Sequence, residues 1–555
     1  MKFDVGKVKK RLTFFVVYVS MLMFTFIMTL NYSVDIHYEG YTAESYQVRL
    51  RNVALAVAIM IPLYVAFLKK TDAINLALFS AKKSWIVIAA ICAGIISVQL
   101  LLDTRKNYSH IIDALTNKVG AIEPFLTKLC LAAMCAGSIF AVFIIVLHLF
   151  CHLIPFGHEY LEEMDGFEKG YFVIVLPLCI SVISYFYART NAPWNSLDLV
   201  YQTDSVFLME HYYPVFGFGY DFDWDIGCGG IRHPLATFLT YPIYIIVAFI
   251  SNILYFVPNI TPFLYATMQS ILLILIGITI KRLTNSIWAA VIFAVSFPFS
   301  FFTIFIEKYQ LSVFLMVMFL YAAVKKKEKF LQKYFLISAG GMMLTSVVCG
   351  FFYGTEKKIW PRIKEYIEVG VSFFVVLIAT GRIGYILNFF YLKNQNYTMF
   401  FNGGIEELSI FNRLAGFSNL LTSTFIPVPY GGNEINFYWT DLTSKINIVG
   451  LLIALFVVMS VVLNRKKSVT WAFLLFIGYS LFQEVVLGIG PGCDPLFNLY
   501  FMWPTLALTI MGIEKLIKSK FARIIVYIPI VLVIAYLNVK HLSDLLAYLV
   551  SVSPT

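Results

Sequence analysis

Apolar runs of roughly 17 to 25 residues recur along this chain, and each is long enough to cross the hydrocarbon core of a bilayer as a helix. Nothing in hydrocarbon can satisfy an exposed backbone N–H or C=O, so a run of this kind folds as a helix that bonds to itself. Such runs start near Leu12, Val53, Trp85, Leu129, Tyr171, Pro262, Ile287, Leu311, Glu368, Ile448, Thr470, Phe497 and Ala522. The expected fold is therefore an all-α polytopic membrane protein with about 13 transmembrane helices. A shorter stretch, Tyr334 to Tyr353, carries Gly340, Gly341 and Gly350 and reads as a short broken hairpin that dips in and returns. With 60% hydrophobic and only 13% charged residues, and a mean hydropathy of +0.79, a water-soluble globular domain is excluded.

Lys and Arg set the orientation. With the N-terminus in the cytoplasm, the clusters Lys69-Lys70, Lys82-Lys83, Lys281-Arg282, Lys325 to Lys327, Lys357-Lys358, Arg465 to Lys467 and Lys515 to Arg523 share that side. This arrangement requires Leu235 to Phe256, interrupted by prolines at 234, 242 and 258, to lie on the outer face as an interfacial helix. The first run, Leu12 to Leu30, is too long for a signal-peptide core and reads as an anchor. The net charge of +10 suits an anionic cytoplasmic leaflet and implies no nucleic-acid partner.

Residues 1–155 read as an N-terminal accessory bundle of four spans, and 171–540 as the working transmembrane module. Its outer side carries an acidic loop with its interfacial helix (189–256), a second large loop (384–445) and a small loop from Pro298 to Gln310. Most cysteines, Cys179 among them, fall in or beside spans and read as small hydrophobes. Cys228 and Cys493 fall in outer loops, where a disulfide between them is an option.

The acidic loop holds Asp198, Asp204, Glu210, Asp221, Asp223 and Asp225 among aromatic side chains. Carboxylates act as general bases or bind hydroxyls, and aromatic rings give sugars a flat apolar face, so the loop points to a carbohydrate. Asp204, in YQTDS close to the outer surface, is the first candidate base and Asp198 the second; a helix N-cap is the structural alternative for Asp204. Asp221, Asp223 and Asp225 alternate with Phe222 and Trp224, so an extended chain would present three carboxylates on one side, a weak candidate for a divalent cation such as Mg or Mn. Arg232 and His233 could hold a phosphate at headgroup level, or form a structural turn. Glu307-Lys308 is a charged pair in a short outer loop, and Arg382 ends a span where it could neutralise a lipid phosphate or merely snorkel. Glu484 lies inside an apolar run, where an ionisable residue is a functional candidate. No soluble nucleotide-binding or hydrolase motif occurs, so a donor must be membrane-borne.

The layout resembles the GT-C superfamily of integral-membrane glycosyltransferases. The resembling parts are a span followed by an acidic outer loop (YQTDS), the segment IRHPLATFLTYP, a span ending in a basic turn (ITIKRLTNSIW), the short charged loop FIEKYQ and the broken hairpin ISAGGMMLTSVVCGFFYGTEKK. The resemblance implies transfer of a sugar from a polyprenyl-phosphate donor to a cell-envelope glycan or lipid acceptor, on the outer face of a bacterial plasma membrane. It implies that Asp204 acts as base or orients the acceptor, with Glu307, Lys308 and Arg382 near the donor phosphate; Trp224, Arg232 and His233 are further binding candidates from the residues themselves. The four preceding spans and the lack of a cleanly paired acid depart from the family pattern, and the choice between Asp198 and Asp204 stays open. The alternative is a transporter, flippase or polymerase for lipid-linked glycans.

Overall fold

The computed structural model describes residues 152–190, 233–348, 350, 359–379, 409–427, 446–487 and 494–552. Every regular element among them is helical. By length and apolarity, four helices can cross a membrane, or five if one bent pair counts as a single span. The expected spans near Leu12, Val53, Trp85 and Leu129 lie outside the described residues. The chain divides into two compact units, Met1–Glu163 with Gly370–Leu392, and Met164–Val369 with Lys393–Thr555. The described part of the first is a helix over 152–162 and the second half of helix Ile359–Ala379.

In the second unit, α1 (Gly166–Arg189) opens with a capping box: the Asp165 carboxylate accepts from the Glu168 N–H at 2.8 Å, and Glu168 accepts in return from the Asp165 N–H at 3.3 Å. Then come α2 (Ala236–Ile253), α3 (Ile260–Thr284), the bent pair α4 (Ile287–Val295) and α5 (Phe297–Ile304), α6 (Tyr309–Val324) and α7 (Lys329–Met342). After α8 (Ile359–Ala379) follow α9 (Ile410–Ser423), α10 (Ile448–Asn464), α11 (Ser468–Leu481) continued by a π-helical turn (Phe482–Val486), α12 (Asp494–Leu516) and α13 (Lys520–Val552).

Contacts between helices fix their directions. Gln269 meets Gln310, Thr279 meets Met318 and Arg282 meets Tyr321, so α3 and α6 run parallel. Trp288 stacks on Tyr527 and Phe297 meets His541, so α4–α5 runs parallel to α13. Ser460 bonds to the Leu508 carbonyl and Asn464 to that of Met511, making α10 and α12 parallel too, whereas Phe473 and Phe476 pack antiparallel against Trp503 and Tyr500. Ser286 bonds to Glu514 at 2.6 Å and ties these groups together at one end. As a result Lys281-Arg282, Lys325 to Lys327, Arg465 to Lys467 and Lys515 to Arg523 all lie at that same end.

Two segments read as outer loops contain helices. The small loop Pro298 to Gln310 is for half its length the buried helix α5, because Pro298 occupies a first-turn position that needs no N–H and FPFSFFTI is apolar enough to be buried. The bend of 54° between α4 and α5 falls at Ser296, and the true loop shrinks to 305–308. Within the segment 384–445 read as a second outer loop lies α9, capped by Ser409 and buried from Ala415 to Ser423. Its polar residues hid it from a search for apolar runs.

Helix α2 is 18 residues long, carries no charged residue and is interrupted by Pro242. It packs antiparallel on the first turns of α3, where Ser251 accepts from Thr261 at 3.0 Å and Val247 meets Tyr265. The expected hairpin also has a counterpart. Helix α7 stops at Met343, a 3-10 turn follows over Leu344–Val347, and the chain doubles back until Gly350 lies on Leu336. A Cβ at Gly350 would stand 2.1 Å from the Leu336 Cδ2 atom, so a larger residue there would require that leucine side chain to move.

Candidate functional site

A buried polar cluster forms where α7 breaks, α2 begins and α6 begins, at the end of α6 remote from Lys325. The turn 305–308 is held by two amides. Gln269 Nε2 donates to the Glu307 carbonyl at 2.6 Å, and its Oε1 accepts from the Glu307 N–H at 3.3 Å and from Gln310 Nε2 at 3.2 Å. Gln310 also donates to the Phe302 and Phe305 carbonyls, at 3.2 and 3.1 Å. Gln269 lies nine residues into α3, about 14 Å along the helix axis, so this clamp is well inside the helix bundle. Backbone groups freed by the α5–α6 break are thus satisfied by side chains, as burial demands.

That clamp leaves Glu307 and Lys308 only 3% and 4% exposed. Glu307 Oε2 accepts from the Lys308 N–H at 3.3 Å. The sequence suggested a charged pair in a short outer loop; the structure has both residues buried. Adjacent ionisable groups withdrawn from solvent are costly to keep and mark functional positions more often than ordinary packing does.

His233 reaches the same place from the acidic segment. Its Nδ1 lies 2.6 Å from the Met342 carbonyl, which can only accept, so the ring proton sits on Nδ1. The Leu235 N–H donates to the Gly341 carbonyl at 2.8 Å, and a Cβ at Gly341 would lie 2.6 Å from Leu235 Cδ1. The histidine ring meets the edge of Tyr309, the residue after Lys308, with centroids 6.4 Å apart. His233 is 3% exposed, and these contacts make it a bracket between α2 and the break in α7.

A chain of hydroxyls closes the cluster. Tyr500 lies 2.7 Å from the Thr345 hydroxyl and 3.0 Å from that of Ser346, which in turn lies 3.2 Å from Ser312. The Tyr500 and Tyr309 rings are 6.3 Å apart. One charged pair, a histidine, two amides and four hydroxyls therefore surround a broken helix. Cationic groups can hold a phosphate, a carboxylate can exchange a proton, and hydroxyls and amides can match those of a sugar.

Of the residues singled out from the sequence, His233, Glu307 and Lys308 are brought into this cluster. Asp198, Asp204, Asp221, Asp223, Trp224, Asp225, Arg232 and Arg382 lie outside the described residues, as do Cys228 and Cys493. Among the described residues, no group of His, Cys, Asp and Glu could hold a metal ion. Cys179 is buried and free, with its sulfur 4.0 Å from the Thr303 hydroxyl. Gln269, Gln310 and Tyr500 were missed, although glutamines inside apolar runs were a readable signal.

Glu484 is fully buried on the π-helical turn that ends α11. Arg413, from α9, donates to the Val485 and Val486 carbonyls beside it, both at 3.2 Å. A π turn carries an extra residue that distorts the helical ladder, a feature found often at functional positions.

At the opposite end, Glu168 accepts from Arg282 Nη2 at 2.6 Å and from Lys281 at 2.9 Å, while Asp165 bonds to Lys281 as well. The Arg282 guanidinium also donates to the Tyr321 hydroxyl at 3.2 Å. No family model, curated protein or solved structure matches this chain, so its reading rests on its own residues and geometry.

Proposed function

We propose that this protein is a membrane glycosyltransferase of the GT-C kind, which moves a sugar from a polyprenyl-phosphate donor to a cell-envelope glycan or lipid acceptor. The observation that carries the reading is the convergence of three segments far apart in sequence. HPL (233–235), the pair Glu307-Lys308 and the glycine break at 340–343 are the parts on which the family resemblance stands, and they meet in one buried polar cluster. That cluster lies away from the basic turns, which in this reading face the cytoplasm, so the reaction takes place toward the outer face of a bacterial plasma membrane.

Asp204, or Asp198 in its place, takes the proton from the acceptor hydroxyl. The acceptor oxygen then attacks the anomeric carbon, and the bond from that carbon to the phosphate oxygen breaks. The polyprenyl phosphate leaves with the bonding pair. Lys308, with Arg232, His233 and Arg382 as further candidates, offsets the charge growing on the leaving phosphate, in a site that excludes water and so strengthens the attraction. Trp224 would present its face to the sugar.

Transfer of labelled sugar from a panel of polyprenyl-phosphate sugars to envelope acceptors, by the purified wild type and by Asp204→Asn, tests this reading. Transfer by the wild type and loss in the variant, with the fold intact, is the expected result. The buried Glu484 supports one other reading, a transporter of lipid-linked glycans, since such a path needs polar groups deep in the spans. Full function in Asp204→Asn with severe loss in Glu484→Gln would select the transporter.

A further inference from the structure

The basic end of the molecule treats its charges unequally. Three of its basic sites are matched by acids: Lys281 and Arg282 by Asp165 and Glu168, Lys329 and Lys333 by Glu365 and Glu368, and Arg523 by Glu514. The turns 465–467 and 515–520 are different. The bonds of Ser460 and Asn464 to the backbone of α12 hold the end of α10 beside the end of α12. This places Arg465, Lys466 and Lys467 next to Lys515, Lys518 and Lys520, all exposed, with no ion pair among the described residues. The acid nearest in sequence, Glu514, is already held by Arg523 and Ser286.

The surroundings of these turns are apolar on the side facing away from the bundle. Val462, Leu516 and Phe521 are 60%, 51% and 72% exposed, and Trp471, 45% exposed, donates its indole N–H to the Arg465 carbonyl at 2.8 Å. An indole with its ring outward and its N–H on a polar backbone group is the arrangement of a side chain at the level of lipid headgroups. Charge that meets a phosphate and apolar surface that meets acyl chains are thus side by side, which a soluble anion would not require.

We propose that the paired turns 465–467 and 515–520 form a binding site for the phosphate headgroup of an anionic phospholipid, whose chains lie against Val462, Trp471, Leu516 and Phe521. Partial burial of the Lys467 ammonium, and next the charge of Lys515, lower its proton affinity. An attraction of about 1 kcal/mol per lysine near an anionic surface makes two lysines worth about thirtyfold in binding.

The test extracts the full-length protein from vesicles containing equal phosphatidylglycerol and phosphatidylcholine and counts retained lipid by native mass spectrometry. Lys467→Gln with Lys515→Gln is expected to cut retained phosphatidylglycerol about thirtyfold. Lys329→Gln with Lys333→Gln removes the same charge from matched sites and is expected to leave retention unchanged. Equal retention in the two double variants overturns the site. Displacement of the lipid by soluble glycerol phosphate at matched concentration overturns the lipid assignment and leaves an anion site. Should the first variant fail to fold, wild-type protein in about 1 M salt, where charges are screened within about 3 Å, must fall to the phosphatidylcholine level of retention. Persistence of phosphatidylglycerol there also overturns the proposal.

Discussion

Two buried charged regions lie at opposite ends of the same helices, and they are built differently. Around Glu168 the contacts between elements are chiefly carboxylates against cations: Lys281 and Arg282 both bond to it, and Asp165 adds a second acid. Around Glu307 and Lys308 the backbone of the turn is held by the Gln269 amide, and a chain of hydroxyls from Tyr500 to Ser312 lies in the same cluster, set on interrupted helices. The first fastens α1 to α3 and α6. The second has polar groups in numbers that fastening does not need, which is what a site for a polar substrate requires.

If this contrast is right, Glu168→Gln should be the most damaging change to the fold. It takes the shared carboxylate from Lys281 and Arg282, whose side chains are only 13% and 9% exposed, a loss of about 3–5 kcal/mol, read as a large drop in the midpoint of thermal unfolding. Glu307→Gln keeps shape and hydrogen-bonding capacity. It should cost less stability than Glu168→Gln but lower sugar transfer by about a hundredfold, the scale of losing one positioned carboxylate that exchanges a proton. A stability loss at Glu307 equal to that at Glu168, with transfer unchanged, would break the comparison.

Smaller changes sharpen it. Gly341→Ala drives a methyl group into Leu235, and overpacking of this kind costs about 1–3 kcal/mol. Because it would pull the His233 bracket from the α7 break, transfer should fall along with the unfolding midpoint. Tyr500→Phe deletes one hydroxyl bonded to Thr345 and Ser346, for about 1 kcal/mol and a small fall in the midpoint; a rise in the KM for donor beside it would place the hydroxyls against substrate, and an unchanged KM would leave them to the fold alone. The least effect concerns pH. The hydrogen bond from Lys281 holds the Asp165 carboxyl below the usual carboxylate range. Its contribution is therefore complete above about pH 4 and lost as pH falls through the lowered value. Asp165→Asn should flatten the acid limb of the stability profile, and an unchanged limb would remove Asp165 from the fastening.

Much of the frame could be read from the chain. The helices α1, α3 and α13 lie where apolar runs predicted them, and the chain breaks after Gly340-Gly341 where the glycines suggested it. The helix α9 could not be found this way, since its polar face is buried against other helices instead of facing water or lipid. Nor could the depth of Glu307, because a loop and a buried turn between two short helices look alike in sequence.

Hydropathy and the spacing of Lys and Arg alone determined that the chain is helical and suited to a membrane, and grouped its basic turns on one side, because backbone satisfaction in hydrocarbon is a local demand that each run meets by itself. Only the tertiary structure decided that His233, Gln269, Glu307, Lys308, Ser346 and Tyr500 share one cluster. It also decided that Glu168 is matched while Lys467 and Lys515 are not. Those pairings depend on the directions in which helices far apart in sequence come to pack, and no single run carries that information.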